Sequence, residues 1–200
     1  ANPLTADMGR RQFVTTSLAA GIILPTAMAM TGNAMASAPK KGGKFRLAMG
    51  HGSTTDSLDP GTHENGMSQN VLFAYANHLT EVSKEGQLIP ELAVEYGASA
   101  DARTWTFKIR PGVTFHDGKA LTPADVVGSF RHHMGEDTKS AGKALLADVT
   151  NISVNGGDVV FTLANANADF AFIVSDYHFP ILPVRDGQLD WASGIGTGGY

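Results

Sequence analysis

Histidine has the widest chemical scope of the residues in this chain, since imidazole binds metals and transfers protons near neutral pH. Seven histidines occur among the 200 residues, and no two are four positions apart, the spacing that zinc enzymes use on a helix. His132 and His133 are adjacent, so on a helix their side chains point about 100° apart. His116 precedes Asp117 in a turn-forming stretch, where aspartate is expected for turn chemistry alone. We predict structural or surface roles for these three histidines.

A polar loop holds the better candidates for chemistry. His51, His63 and Glu64, together with one further histidine, would form the site of a secreted metal-dependent hydrolase. Nucleophilic hydrolysis has no support, because no serine lies in a G-x-S-x-G elbow and the chain has no cysteine.

The glycine-rich stretch 194–199 contains G-x-G-x-G-G. A phosphate-binding loop of this kind follows a strand and opens a helix. Trp191-Ala192-Ser193 makes a poor buried strand, and the sequence stops at Tyr200. The pattern therefore favours a bend in the backbone over a nucleotide site.

Composition limits the classes of function further. The net charge is −4 and the lysines and arginines are scattered, which argues against nucleic acid as a partner. Apolar residues make up 42% of the chain, enough for a sizeable core. Without cysteine the chain has no disulfide, no thiolate metal site and no residue for lipid attachment.

The stretch 104–127 has the clearest pattern of secondary structure in the chain. Trp105, Phe107 and Ile109 alternate with polar residues, which indicates a strand with one apolar face. The alternation resumes at residues 113–115 after a Pro-Gly turn, so a β-hairpin is predicted. Thr122 then lies at an N-cap position, followed by Pro123 at the first helical position and Asp125 at the capping-box position. This pattern predicts a capped helix.

Shorter elements are predicted on both sides. They are a strand at 44–49, a helix at 69–76 with residues 71, 72 and 75 on its apolar side, strands at 79–82 and 88–96 around a turn, a hairpin of 145–154 and 159–163 around Asn155-Gly156, and a short helix at 169–174.

The first 36 residues resemble an export signal. Arg10-Arg11 precede an uncharged, largely apolar run from Leu18 to Met30, which is typical of a twin-arginine signal. Small residues on both sides of Met35 suggest cleavage near Ala36. The apolar run is shorter than the roughly 20 residues that a membrane-spanning helix needs.

The order of several motifs resembles the peptide/nickel-type (family 5) solute-binding proteins of bacterial ABC importers. The stretch 104–127 is similar to that family's signature. The matching motifs are Ser57-Leu58-Asp59-Pro60, the segment 88–93, and Gly196-Thr197-Gly198-Gly199-Tyr200, where Gly199 replaces the usual proline. The resemblance runs from about residue 43 to residue 200.

The resemblance implies an α/β fold, namely the first lobe of a type II periplasmic binding protein with a mixed β-sheet. Residues 37–76 and 177–200 would form an incomplete core sheet, with 77–176 as an inserted, hairpin-rich subdomain. Family members are more than twice this long, so we expect the chain to be truncated before its second lobe.

The resemblance also implies a function without covalent chemistry. Glu64, Asn65, Gly66 and Met67 align with the loop that meets the ligand in peptide-binding relatives. We expect a periplasmic monomer that uses no cofactor and feeds a solute to an ABC permease in the inner membrane. The solute would be a di- or oligopeptide, an opine- or sugar-like conjugate, or a metal chelate. The metal-dependent hydrolase and an exported structural or chaperone-like domain remain as alternatives.

Overall fold

The computed structural model describes Gly43, Lys44 and residues 46–200. The predicted export signal and its cleavage position lie outside the described residues. Met49–Tyr200 form one compact unit. No helix in the described part is both long enough and apolar enough to span a membrane. The division of the chain at residues 77 and 176 stays a prediction.

Three α-helices and eight short strands make up this unit. The helices are α1 (Gly66–Tyr75), α2 (Pro123–His132) and α3 (Phe170–Ile173). The strands are β1 (Thr80–Val82), β2 (Leu88–Pro90), β3 (Ala93–Ala98), β4 (Thr104–Ile109), β5 (Val149–Asn155), β6 (Asp158–Leu163), β7 (Val184–Arg185) and β8 (Gln188–Leu189). Two 3-10 turns, Pro60–Thr62 and Ala141–Leu146, lie between them.

A four-stranded sheet in the order β3-β4-β6-β5 forms the centre. Its pairings are antiparallel, as are those of the β1-β2 and β7-β8 hairpins, so the described strands form no mixed sheet. The predicted alternation is confirmed, because Trp105, Phe107 and Ile109 are buried on the face of β4 that packs into the core.

The hairpin predicted inside the stretch 104–127 is wrong. β4 pairs with β3 and β6, whereas residues 113–120 make only an isolated bridge between Thr114 and Ala120. Both edges of β4 are already paired with six-residue strands, so residues 113–115 find no free edge of β4 to pair with. The predicted strand at 88–96 is also split, since β2 belongs to the β1 hairpin and β3 to the central sheet.

The other predicted elements fare differently. β5 and β6 form the expected hairpin, with Asn155 opposite Asp158 across a two-residue turn. The described residues of 44–49 form no strand. Helix α1 begins three residues before the predicted start, and Val71 is 43% exposed, so it does not share the buried side of Leu72 and Tyr75.

Helix α2 covers the central sheet with one apolar side. Val126 and Phe130 are fully buried, and the Phe130 ring meets Phe161 of β6 edge-on at 4.9 Å. Such an aromatic contact adds stability beyond the area that it buries. A second, smaller cluster under α1 contains Leu72, Tyr75, Ala76 and Leu182, with Leu58, Tyr177, Leu189 and Trp191 packed around it.

Candidate functional site

The predicted ligand loop, Glu64–Met67, lies at the start of α1. Asn65 is the N-cap residue, and its Oδ1 accepts hydrogen bonds from the backbone N–H groups of Met67 (2.9 Å) and Ser68 (3.1 Å). The Asn65 amide nitrogen is not used in this cap. Glu64 and Gly66 are exposed and Met67 is half-buried. The loop is thus fixed by helix capping while its carboxylate faces solvent.

The turn before this loop is tied to the end of α2. Asp59 caps the turn Pro60–Thr62 by accepting from the Gly61 N–H at 2.9 Å, and the same oxygen lies 2.7 Å from Nε2 of His132. Burial alone would raise the pKa of Asp59, but these hydrogen bonds outweigh burial and lower it. Asp59 is therefore an ionised anchor for the segment that leads to Glu64.

Three further histidines are buried around this anchor. His63, His133 and His178 each have less than a tenth of their surface exposed. Burial lowers the pKa of His133 to about 3 and also lowers the pKa of His63. Nδ1 of His133 is hydrogen-bonded to the hydroxyl of Ser140 at 2.6 Å. Both His132 and His133 thus make side-chain hydrogen bonds within the fold, and their structural role stays a prediction.

Tyr177, for which no sequence pattern offered a signal, packs against the cluster under α1. Its ring packs on His178 with a centroid distance of 4.0 Å. Burial, followed by the carboxylates of Asp176 and Glu64, raises the pKa of the Tyr177 hydroxyl. Tyr177 and Glu64 are more than 110 residues apart in sequence, so only the folded chain brings them together.

The remaining histidine candidates do not assemble a metal centre. Within the described residues, no group of three or more His, Cys, Asp or Glu side chains could hold a metal ion. His63 is buried while Glu64 is exposed, so neighbours in the sequence face different surroundings. His116 instead binds backbone groups near the end of the chain, with Nε2 at 3.0 Å from the Gly198 carbonyl oxygen. The hydrolase hypothesis is not supported.

The glycine-rich end is a bend packed against the end of α1. The Gly198 N–H donates to the Tyr75 carbonyl at 2.8 Å, and the Thr197 hydroxyl is 2.9 Å from Oδ1 of Asn77. A Cβ atom on Gly196 would lie 2.0 Å from the Tyr75 carbonyl oxygen. Gly196 and Gly198 therefore serve a close backbone approach, as the bend interpretation predicts.

Replacing Gly196 with alanine is expected to lower the free energy of unfolding by about 1–3 kcal/mol, since the added methyl group meets fixed backbone. Urea denaturation measures the loss. Gly199→Ala is the matched control, because a Cβ there meets nothing within 4 Å. Equal stability of the two variants would contradict the close approach.

A separate cavity of about 990 Å³ lies between α2, β5 and the β7-β8 hairpin. Its walls include Val127, Arg131, Val154 and Trp191, and none of residues 64–67. The candidate loop and this cavity are thus different surfaces.

Similarity to solved structures identifies the class of fold. The structure of the binding protein AgaA from Agrobacterium tumefaciens R10 with agropinic acid superposes with a TM-score of 0.64 at 24% identity. The match covers 71% of this chain and 30% of that chain. The fold is that of the first lobe of a type II periplasmic binding protein, as predicted.

The sequence comparisons identify the family. The profile of the "Bacterial extracellular solute-binding proteins, family 5 Middle" matches residues 87–200, more than half of the chain. The chain belongs to this family.

Two curated proteins are similar to this chain in sequence. A probable peptide ABC transporter periplasmic-binding protein of Sinorhizobium fredii is 30% identical over 73% of this chain. A glutathione-binding protein of Pectobacterium atrosepticum is 43% identical over 38% of this chain. The aligned part spans 26% of the first relative and 15% of the second. Both relatives are named as binding proteins and neither as an enzyme.

Proposed function

We propose that this chain is the first lobe of an exported solute-binding protein that supplies a bacterial ABC importer. Membership of the family 5 solute-binding proteins carries the proposal. The solute would bind between two lobes, whose hinge closure buries it and presents a closed surface to the permease. No bond is made or broken in this cycle, so the protein acts as a receptor.

The loop Glu64–Met67 would provide the contacts from this lobe. The exposed Glu64 carboxylate suits a ligand amine, and the free amide nitrogen of Asn65 suits an acceptor. Met67 offers an adaptable apolar wall. Tyr177, which packs against the cluster under α1, would add a ring and a hydroxyl, so a peptide-like solute with both amine and apolar groups would find partners for each.

Peptides are the best-supported class of solute, because the Sinorhizobium relative is named for peptide transport and the Pectobacterium relative for glutathione, itself a tripeptide. Opine-like solutes are the second candidate, since the AgaA structure holds agropinic acid. Periplasmic location through a twin-arginine signal, with cleavage near Ala36, completes the proposal.

The first test is an NMR titration of the 200-residue chain with trialanine and with glutathione. We expect shifts at residues 64–67 and Tyr177 with millimolar or weaker affinity, because one lobe supplies only half of a cleft. Micromolar binding would contradict the half-site interpretation. Shifts that avoid residues 64–67 and Tyr177 would contradict the role of this loop.

Replacing Glu64 with glutamine should weaken binding of trialanine about two- to fivefold, since a solvent-exposed pairing of carboxylate and amine contributes modestly. The same titration gives the ratio of dissociation constants. Glu85→Gln is the control, because Glu85 is an exposed carboxylate in the turn between β1 and β2. An equal effect of both substitutions would point to a general charge effect.

A further inference from the structure

One side-chain contact joins the segment before the ligand loop to a distant helix. His132, the last residue of α2, lies 73 positions from Asp59, and its Nε2 is 2.7 Å from Oδ1 of Asp59. The same oxygen accepts the Gly61 N–H. One carboxylate oxygen therefore connects the end of α2 with the turn Pro60–Thr62.

A second contact holds the turn from the other side. A Cβ on Gly61 would lie 3.1 Å from Cβ of Ser140, so the turn packs tightly on that residue. The Ser140 hydroxyl is in turn bonded to His133. Two consecutive histidines at the end of α2 are thus connected to the turn. His132 is connected through the Asp59 carboxylate and His133 through the Ser140 hydroxyl.

The chain between the turn and the ligand loop has little freedom. His63 follows the turn directly, is 2% exposed, and has Nε2 3.1 Å from the Ser57 carbonyl oxygen. Asn65 then caps α1. Glu64 therefore stands between two fixed residues, and its position depends on where the turn is held.

The contact of His132 with Asp59 is suited to setting the position of the loop. The two side chains are 24% and 22% exposed, so the pair is part-buried and lies outside the fully buried core. The titratable groups around this region include Asp56, Asp59, His63, Tyr75, His133, Asp176 and His178. Of these, Asp59 forms the hydrogen bond to His132. Removing the His132 N–H would then loosen the turn without unfolding the sheet.

We propose that His132 is a positioning residue of the solute site, which acts through Asp59 on the turn Pro60–Thr62 and so on Glu64. The inference rests on the proposed function for its effect on solute. Its effect on the turn is measurable without any solute. In this proposal His132 acts through Asp59 and needs no contact with the solute.

Amide hydrogen exchange tests the positioning directly. His132→Phe keeps an aromatic ring and removes the hydrogen-bonding nitrogens, while His132→Gln keeps an N–H donor. We expect amide exchange in residues 61–68 to be about tenfold faster in His132→Phe and restored in His132→Gln. Arg131→Gln, a change at the neighbouring exposed position, should leave it unchanged. Unchanged exchange at residues 61–68 in His132→Phe would overturn the proposal.

The solute effect is tested by the same variants with trialanine as the probe. His132→Phe should weaken its binding about fivefold, with His132→Gln close to wild type. Faster exchange in the loop with unaltered trialanine binding would overturn the role of His132 in the solute site and leave the proposed function standing. Wild-type protein in which neither trialanine nor glutathione shifts residues 64–67 would count against the proposed function, while the exchange data would still decide the positioning.

Discussion

Replacing Asp125 with alanine is expected to lower the free energy of unfolding by about 3–5 kcal/mol, the loss typical of breaking a buried ion pair. The Asp125 side chain is 1% exposed and accepts four hydrogen bonds. The donors are Nζ of Lys119 at 2.5 Å, the N–H and hydroxyl of Thr122 at 2.9 and 2.7 Å, and the Val184 N–H at 2.8 Å. These donors outweigh burial and lower the pKa of Asp125.

The size of the effect follows from what alanine leaves behind. The Val184 N–H and the Lys119 ammonium lose their acceptor, and the first turn of α2 loses its cap. Urea denaturation at pH 7 measures the change. Asp125→Asn should also destabilise, because its NH₂ group faces donors.

Glu95→Gln is the control for this prediction. Its carboxylate pairs with Lys108 at 3.5 Å, but both side chains are more than half exposed, so the loss should be about 0–1 kcal/mol. A loss below about 1 kcal/mol in Asp125→Ala would show that Asp125 is not the link between α2 and the β7-β8 hairpin.

Acidification from pH 7 to pH 4 is expected to destabilise the fold steeply, because histidines that are buried in their neutral form must gain protons. His78 and His133 have pKa values lowered to about 4 and about 3, chiefly by burial, and the pKa of His63 is lowered as well. In the unfolded chain these residues titrate at the ordinary histidine pKa, about 6.5. Between those limits the unfolded chain binds protons that the folded chain does not bind.

The sign follows from this difference in bound protons. Stability rises with pH wherever the unfolded state holds more protons, so it is constant above about pH 7 and falls as the pH drops below 6.5. Each neutral histidine adds up to about 1.4 kcal/mol per pH unit, which gives about 3 kcal/mol for His78 alone by pH 4. Glu91, whose pKa is raised by burial, opposes this trend slightly at the lower end of the range.

Urea titrations at several pH values between 4 and 7.5 measure this slope. His133→Gln and His78→Gln should each flatten it, because glutamine keeps polar atoms and cannot be protonated there. His51→Asn is the control at an exposed histidine. Carboxylates with lowered pKa values add to this loss below about pH 5, since their unfolded value is 3.8. A flat profile down to pH 4.5 would contradict neutral burial of these histidines.

Local patterns in the sequence predicted the elements that depend on neighbouring residues. The cap at Thr122 and Asp125, the turn at Gly156-Gly157 and the alternation in β4 each follow from chemistry within a few positions. The partners of β4 could not be predicted in this way. Its two edges pair with β3 and β6, and the segment 113–115, which is nearer in sequence, does not pair with it. Pairing is decided by the whole sheet.

The candidate site shows the same limit. Glu64–Met67 were found by resemblance, and the structure places them on a capped helix start. His132 bonds to Asp59, ahead of this loop, across 73 positions of sequence, and Tyr177 packs under α1 from the far end of the chain. Such contacts leave no periodic pattern, so the anchoring of the loop was visible only in the fold.

The bend that closes on α1 has a consequence for biosynthesis. Asn77, just after α1, bonds to Thr197, which is 120 positions later in the chain. At about 5–20 residues per second, a ribosome needs on the order of 10 s to reach Thr197 after α1 has been made. During that time the Tyr75 carbonyl at the end of α1 lacks its hydrogen-bond donor, the Gly198 N–H. Leu182, part of the cluster under the helix, is also synthesised more than 100 residues after α1. A nascent chain should therefore protect α1 from proteolysis last, although α1 is the first helix of the compact unit to be synthesised.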